Sequence, residues 1–221
     1  MSAASRVRAP QRSNRINKTP ETRRPRTSRH RAVLLPAGAA ALALTLSACG
    51  GGTSGGGGGT GFITSSDGIA TVKKGERADA PDLSGKTIDG EQLDVASAYN
   101  GKIVVVNVWG SWCSPCRAEA SNLVKVSEDL EGQGVRFVGI NTRDTSTAPA
   151  RAFEDEYKVT YPSLYDPTGK LMLRFEKGTL NPQAIPSTLV IDREGKVAAR
   201  SLQALSESKL RKMIDPILAE K

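Results

Sequence analysis

Apolar positions along this chain recur with two periods, and the changes of period mark its elements. The stretch "KIVVVNVW", residues 102–109, is short, β-branched and almost wholly apolar, as a buried strand should be. After it the apolar residues fall three and four apart. Ala120, Leu123, Val124, Ser127 and Leu130 share one face of a helix over about 114–130, and Gly132 and Gly134 end it. "VRFVGIN", 135–141, predicts a second buried strand. "TAPARAFEDEYKV" predicts a helix with Pro149 near its start. "YPSLYDP" reads as a short extended piece and "GKLMLRFE" as a helical turn or short helix. A third strand, "STLVID" (187–192), meets a fourth, "KVAARSLQ", through the tight turn "REG", so this pair is a hairpin. "SESKLRKMIDPILAEK" closes the pattern as an amphipathic helix capped by Ser206. Upstream, "PDLSGKTIDGEQLDV" alternates and carries glycine turns, which predicts a short hairpin, and "SAYNG" is a helical turn or loop. The order β-α-β-α, then β-β-α, joins a parallel half to an antiparallel half. The fold class is therefore α/β, a central mixed sheet flanked by helices, with an N-terminal β-hairpin extension.

The formal charge of +8 over 221 residues suggests a nucleic-acid partner until the charge is located. Residues 1–48 carry ten of the 31 Lys and Arg and one of the 23 Asp and Glu, so the remainder is nearly neutral and no nucleic-acid partner is expected. The Arg-rich stretch 6–31 precedes "AVLLPAGAAALALTLSA", an apolar run of about 17 residues, short and Ala-rich for a membrane span. That layout predicts a secretory signal peptide over 1–48. It ends in "LSAC", which resembles a bacterial lipobox, with Cys49 as the lipidated residue. "GGGTSGGGGGTG" follows. The expectation is a flexible tether over 49–78, reaching roughly 30 Å, and a globular domain over 79–221. The protein would then be lipid-anchored to the cell membrane on its extracytoplasmic face. Arg23 and Arg24 alone do not decide between general and twin-arginine export.

Only Cys113 and Cys116 remain as thiols in the body, in "WCSPC". A tetrahedral zinc site needs four ligands, and the only histidine, His30, lies in the leader, so no metal is expected. The same absence removes Cys-His and Ser-His-Asp catalysis. A purely structural disulfide would close a very short loop for little entropic gain. Redox exchange suits the placement after a strand and at the start of a helix. Unpaired N–H groups and the positive dipole end there favour a thiolate. Cys113 is expected as the exposed nucleophile and Cys116, one turn in, as the resolving thiol. Pro115 suits the first helical turn.

"VVVNVWGSWCSPCRAEA" and "QAIPSTLVID" together resemble exported thioredoxin-like oxidoreductases of the TlpA/ResA type, and "APDLSGKTIDG" matches that family's opening. The resemblance covers about residues 80–219. It implies a thioredoxin-like fold, a redox disulfide Cys113–Cys116, and a cis peptide at Ile185-Pro186 facing the pair, with the Ile185 backbone and Trp112 meeting the substrate. Trp112 is expected to cover the disulfide, Trp109 to pack in the core, and Arg117 to lie on the surface. No cofactor is implied. Peroxiredoxin chemistry would need a threonine and a proline where Gly110 and Val106 stand.

Glu119, three residues after Cys116, neighbours it on the helix. The resemblance implies that this carboxylate tunes the thiols or exchanges a proton with one, and a partly buried carboxylate would act in that way. It also implies a reductase of protein disulfides, with apocytochrome c among its substrates and a membrane electron-relay protein as reductant. An oxidase or isomerase for secreted proteins, and a non-catalytic binding lipoprotein on the same scaffold, are the alternatives.

Overall fold

A computed structural model of the protein describes residues 60–220. The expected signal peptide, Cys49 and much of the expected tether lie outside the described residues. The first strand of the predicted core, Ile103–Trp109, is buried at every position because it is sandwiched on both faces. Ile103 and Val105 face one hydrophobic cluster, and Val104, Val106 and Val108 face another. This strict alternation is the pleat acting on a two-sided apolar strand.

Seven strands make one sheet. In chain order they are β1 (Ile63–Thr64), β2 (Ile69–Thr71), β5 (Ile103–Trp109), β6 (Val135–Thr142), β7 (Ser163–Asp166), β8 (Ser187–Ile191) and β9 (Val197–Ser201). A separate hairpin supplies β3 (Ser84–Lys86) and β4 (Gln92–Asp94). The sheet order is β1-β2-β9-β8-β5-β6-β7. β5, β6 and β7 run parallel, and the remaining pairs are antiparallel. The sheet is therefore mixed, as the order of elements implied. "YPSLYDP" is more than an extended piece: it forms the parallel edge strand β7.

Four helices accompany the sheet: α1 (Val95–Ala98), α2 (Ser114–Glu131), α3 (Thr147–Tyr157) and α4 (Glu207–Leu218). A single 3-10 turn lies at Met172–Arg174. One face of β5 packs under Leu123, Val126 and Leu130 of α2 and Leu210, Met213 and Ile214 of α4. Ser206 caps α4, its hydroxyl accepting from the Lys209 N–H, as the sequence suggests.

The N-terminal boundary differs from expectation. Residues up to 78 were expected as tether, yet β2 pairs with β9 from Ile69 to Thr71 and β1 pairs with β2. Behind β2, Arg77 is buried and donates to Asp192 at 2.8 Å and to Glu220 at 2.6 Å. It also donates to the Val72 carbonyl. This guanidinium fastens the entering chain to the end of β8 and to the C-terminal residues. Arg77→Met should lower stability by about 3 kcal/mol, because the buried Asp192 loses its cation. Chemical denaturation would check this, and an unchanged midpoint would show that the cluster adds nothing.

Candidate functional site

The site lies where β5 and β6 end and β8 begins. β5 ends at Trp109, a turn follows, and α2 starts at Ser114 with Cys113 as its N-cap. Pro115 stands in the first turn, where its missing N–H costs nothing. Cys113 and Cys116 form a disulfide with a Cα–Cα distance of 5.3 Å. The Cys116 N–H points at the Cys113 sulfur, 3.2 Å away. In the reduced protein that donor and the helix N-terminus would favour negative charge on Cys113.

The turn before Cys113 is held from two sides. Asp144, buried in the loop after β6, accepts from the Ser111 N–H at 2.9 Å, the Ser111 hydroxyl at 2.5 Å and the Asn141 amide at 2.7 Å. The Arg117 guanidinium donates twice to the Ser111 carbonyl, at 3.1 and 2.7 Å. Arg117 is exposed, as expected, but is also a strap on this turn. Neither Asp144 nor Ser111 carried a signal in the sequence.

Across the site, Ile185-Pro186 is cis, as the resemblance implied. The Ile185 carbonyl lies 3.7 Å from the Cys113 sulfur. Here an expectation is corrected. Cys113 is only 3% exposed, hardly more than Cys116 at 1%. Both sit in a cluster with Ile88, Trp109, Ala120, Ala150 and Phe153, and Ile185 packs at its margin. Position in the first helical turn did not keep Cys113 open, because another segment of chain crosses in front of it.

Trp112 lies outside that cluster and is 49% exposed. Its ring folds back over Gly110, where a Cβ would stand 2.5 Å from the indole nitrogen, and its N–H reaches the Thr142 carbonyl at 3.3 Å. Trp109 is core, stacked on Phe153 with ring centroids 4.4 Å apart. Its N–H donates to Ser163 across Gly139, where a Cβ would come within 2.6 Å of that nitrogen.

Glu119 faces inward, 1% exposed. Its carboxylate accepts from the Asn107 amide of β5 at 2.9 Å and from the Leu205 N–H at 2.8 Å. Asn107 also donates to Thr188 of β8. Burial pushes the Glu119 carboxyl up to about 7, against the two hydrogen bonds, which pull it down. Asn107 and Leu205 were not picked out from sequence. A polar residue inside an apolar strand was the available signal for Asn107. Among the described residues no cluster of potential ligands could hold a metal ion.

Two sulfurs one helical turn apart, a buried carboxylate one turn further in and a backbone carbonyl against the outer sulfur can exchange disulfides; they define a dithiol–disulfide site on a thioredoxin-like sheet. A model described as the AhpC/TSA family matches residues 77–200, and the chain belongs to that family. A threonine at position 110, as peroxiredoxin chemistry would need, meets the Trp112 ring. The thiol:disulfide interchange protein HelX of Rhodobacter capsulatus is 36% identical over 125 residues, 56% of this chain and 65% of that protein, just under two thirds of its length. A DsbF homologue from Corynebacterium diphtheriae is 36% identical with a TM-score of 0.63, over 72% of this chain and 99% of that one. A secreted thiol-disulfide isomerase from Corynebacterium glutamicum is 30% identical with a TM-score of 0.65, over 72% and 97%. The protein is a thiol–disulfide oxidoreductase. No helix among the described residues is long and apolar enough to cross a membrane.

Two predictions follow from the buried carboxylates. Folded Glu119 keeps its proton up to about 7, whereas unfolded glutamate loses it near 4.5. The folded state therefore binds more protons between these values, and stability falls as pH rises through that window, by roughly 3 kcal/mol. Urea midpoints between pH 4 and pH 8 (about the span of the two values) should decline in the wild type and stay flatter in Glu119→Gln. Asp144→Ala leaves three buried donors without their acceptor. It should cost about 2–3 kcal/mol and slow thiol exchange, read by calorimetry and by single-turnover kinetics.

Proposed function

We propose that this protein is a lipid-anchored, extracytoplasmic reductase of protein disulfides, tethered through Cys49. Apocytochrome c is the candidate substrate and a membrane electron-relay protein the candidate reductant. The reaction uses two electrons. The Cys113 thiolate attacks one sulfur of the substrate disulfide, and the other sulfur leaves as a thiolate and takes a proton. Cys116 then gives up its proton and attacks Cys113, which releases the second substrate sulfur and leaves the Cys113–Cys116 disulfide. The relay protein reduces that disulfide. In this reading Glu119 takes the Cys116 proton, the Ile185 backbone pairs with the substrate segment, and Trp112 borders it.

The observation that carries the direction is the buried Glu119 carboxylate one turn from Cys116. Negative charge there, present as pH passes about 7, disfavours a thiolate. A strong oxidant depends on a stabilised reduced form. A carboxylate that works against that form supports a reducing couple. The signal-peptide and lipobox patterns support the anchor, and the resemblance to TlpA/ResA-type proteins supports the substrate and the relay. The likeness to a secreted thiol-disulfide isomerase favours the second reading, an isomerase or oxidase for secreted proteins.

Equilibration with glutathione or dithiothreitol buffers measures the potential of the pair. A reductase should lie near that of thioredoxin, roughly −270 mV, whereas a value near −120 mV would mark a disulfide donor and sink the reductase reading. Cys116→Ser leaves the attacking sulfur and removes the resolving one. It should accumulate substrate proteins as mixed disulfides on non-reducing gels; a binding protein with a structural disulfide would accumulate none.

A further inference from the structure

Arg143 adopts a backbone conformation that its side chain disfavours. Its φ is 61°, in the left-handed region. Lys158, with φ 58°, is the other non-glycine residue among those described with this conformation, and it is the C-cap of α3, where such a turn is customary. Arg143 caps no helix. It stands between Thr142, the last residue of β6, and Asp144, whose carboxylate is drawn inward onto Ser111 and Asn141. The Arg143 side chain stays outside. Its guanidinium carbon lies 5.7 Å from the centroid of the Trp112 ring, and Nη2 donates to the Pro182 carbonyl at 2.5 Å. It thus joins the residue before Cys113 to the segment that leads into Ile185-Pro186.

The charge of this group is not neutralised. Among the described residues neither Arg143 nor Arg117 makes an ion pair, and the nearest acidic neighbour in sequence, Asp144, is occupied by Ser111 and Asn141. A guanidinium has five N–H donors in a planar fork that fits a carboxylate, and the Pro182 carbonyl engages only part of it. The half-exposed Trp112 ring below it offers an apolar face for the rest of a substrate chain.

We propose that Arg143 is a specificity-determining residue that favours protein substrates with a carboxylate side chain beside the reacting cysteine. This rests on the thiol–disulfide reading of the site and deepens it by naming the substrate's chemistry. The left-handed turn is what sets the guanidinium on Trp112 while Asp144 keeps hold of the turn beneath. A role confined to fastening Pro182 would alter all substrates alike; recognition alters them according to charge.

The test uses the reduced full-length protein and three synthetic peptides, each with one intramolecular disulfide, identical except for Glu, Gln or Lys beside the attacked cysteine. Each peptide takes two electrons from the protein dithiol, and each second-order rate constant is divided by that peptide's rate constant with dithiothreitol. The expected order is Glu, then Gln, then Lys, with about threefold per step at low salt, the scale of an exposed ion pair. The order should compress as salt is raised. Arg143→Gly, which suits the left-handed backbone, and Arg143→Gln should both bring the Glu-to-Lys ratio close to unity, while Arg143→Lys should retain the order. Lys73→Gln should keep the full ratio. Lys73 lies just past Val72, which pairs with Ala198 at the other end of the sheet. Turnover without a charge order, or an order that survives in Arg143→Gly and Arg143→Gln, overturns the inference alone. Failure of the wild type to reduce any of the three peptides removes the thiol–disulfide reading beneath it as well.

Discussion

The buried Asp144 carboxylate fixes the turn from which the chemistry starts. β5 must deliver its chain from a fully buried strand into a helix within four residues, and that turn has polar groups with no partner in either element. Asp144 supplies an acceptor for the Ser111 N–H and hydroxyl, and Arg117 supplies donors for the Ser111 carbonyl. With Ser111 held at its polar groups, Cys113 falls at the N-cap, where its sulfur meets the Cys116 N–H. The same carboxylate pulls Asn141 inward at the end of β6, so the ends of two parallel strands and the start of α2 share one anchor.

Two electrostatic influences then act on the pair with opposite sign. The helix terminus favours a thiolate at Cys113. Glu119 is buried and its carboxyl pushed up to about 7; in the proposed reaction its charge would oppose a thiolate at Cys116. The separation of the influences follows from helix geometry, since one reaches the N-cap and the other lies on the inner face one turn beyond Cys116. Such a difference between the two sulfurs would suit stepwise exchange, in which the outer sulfur attacks first.

Local pattern carried the parts of this structure that depend on local pattern. β5, α2, β6, β8, β9 and α4 were legible because each has a long apolar period or a cap of its own. β1 and β2 were not, because two- and three-residue strands show no period and follow a Gly-rich stretch. Their place is set by β9, more than a hundred residues on, and by Arg77, whose partner Asp192 is 115 positions away. Cys113 and Cys116 were legible from their spacing and placement, and the inward face of Glu119 from its place on the helix. The resemblance supplied Pro186. Asp144 was not legible, because a short acidic loop residue looks the same whether it faces solvent or holds Ser111, 33 positions earlier. The burial of Cys113 escaped for the same reason: the carbonyl against it comes from a residue 72 positions later.

That burial bears on how the site is entered. Cys113 is 3% exposed and the Ile185 carbonyl lies 3.7 Å from its sulfur, so an approaching substrate meets the chain before Pro186 first. That chain is held by packing, with Phe175 and Thr179 buried and Leu180 and Ile185 against the core, and by two arginines. Arg143 donates to the Pro182 carbonyl, and Arg200 donates to the carbonyls of Gly178 and Thr179. Each such bond contributes on the order of 1 kcal/mol net, with charge adding somewhat to it. The sheet strands on either side are buried throughout and cannot yield so cheaply. The contacts that a substrate meets in front of Cys113 therefore come from the segment between the 3-10 turn and β8. One of its two arginine fastenings is the guanidinium that stands on Trp112. The Pro182 carbonyl engages only part of that guanidinium, so the group proposed to read substrate charge borders the chain beside Cys113 without leaving it.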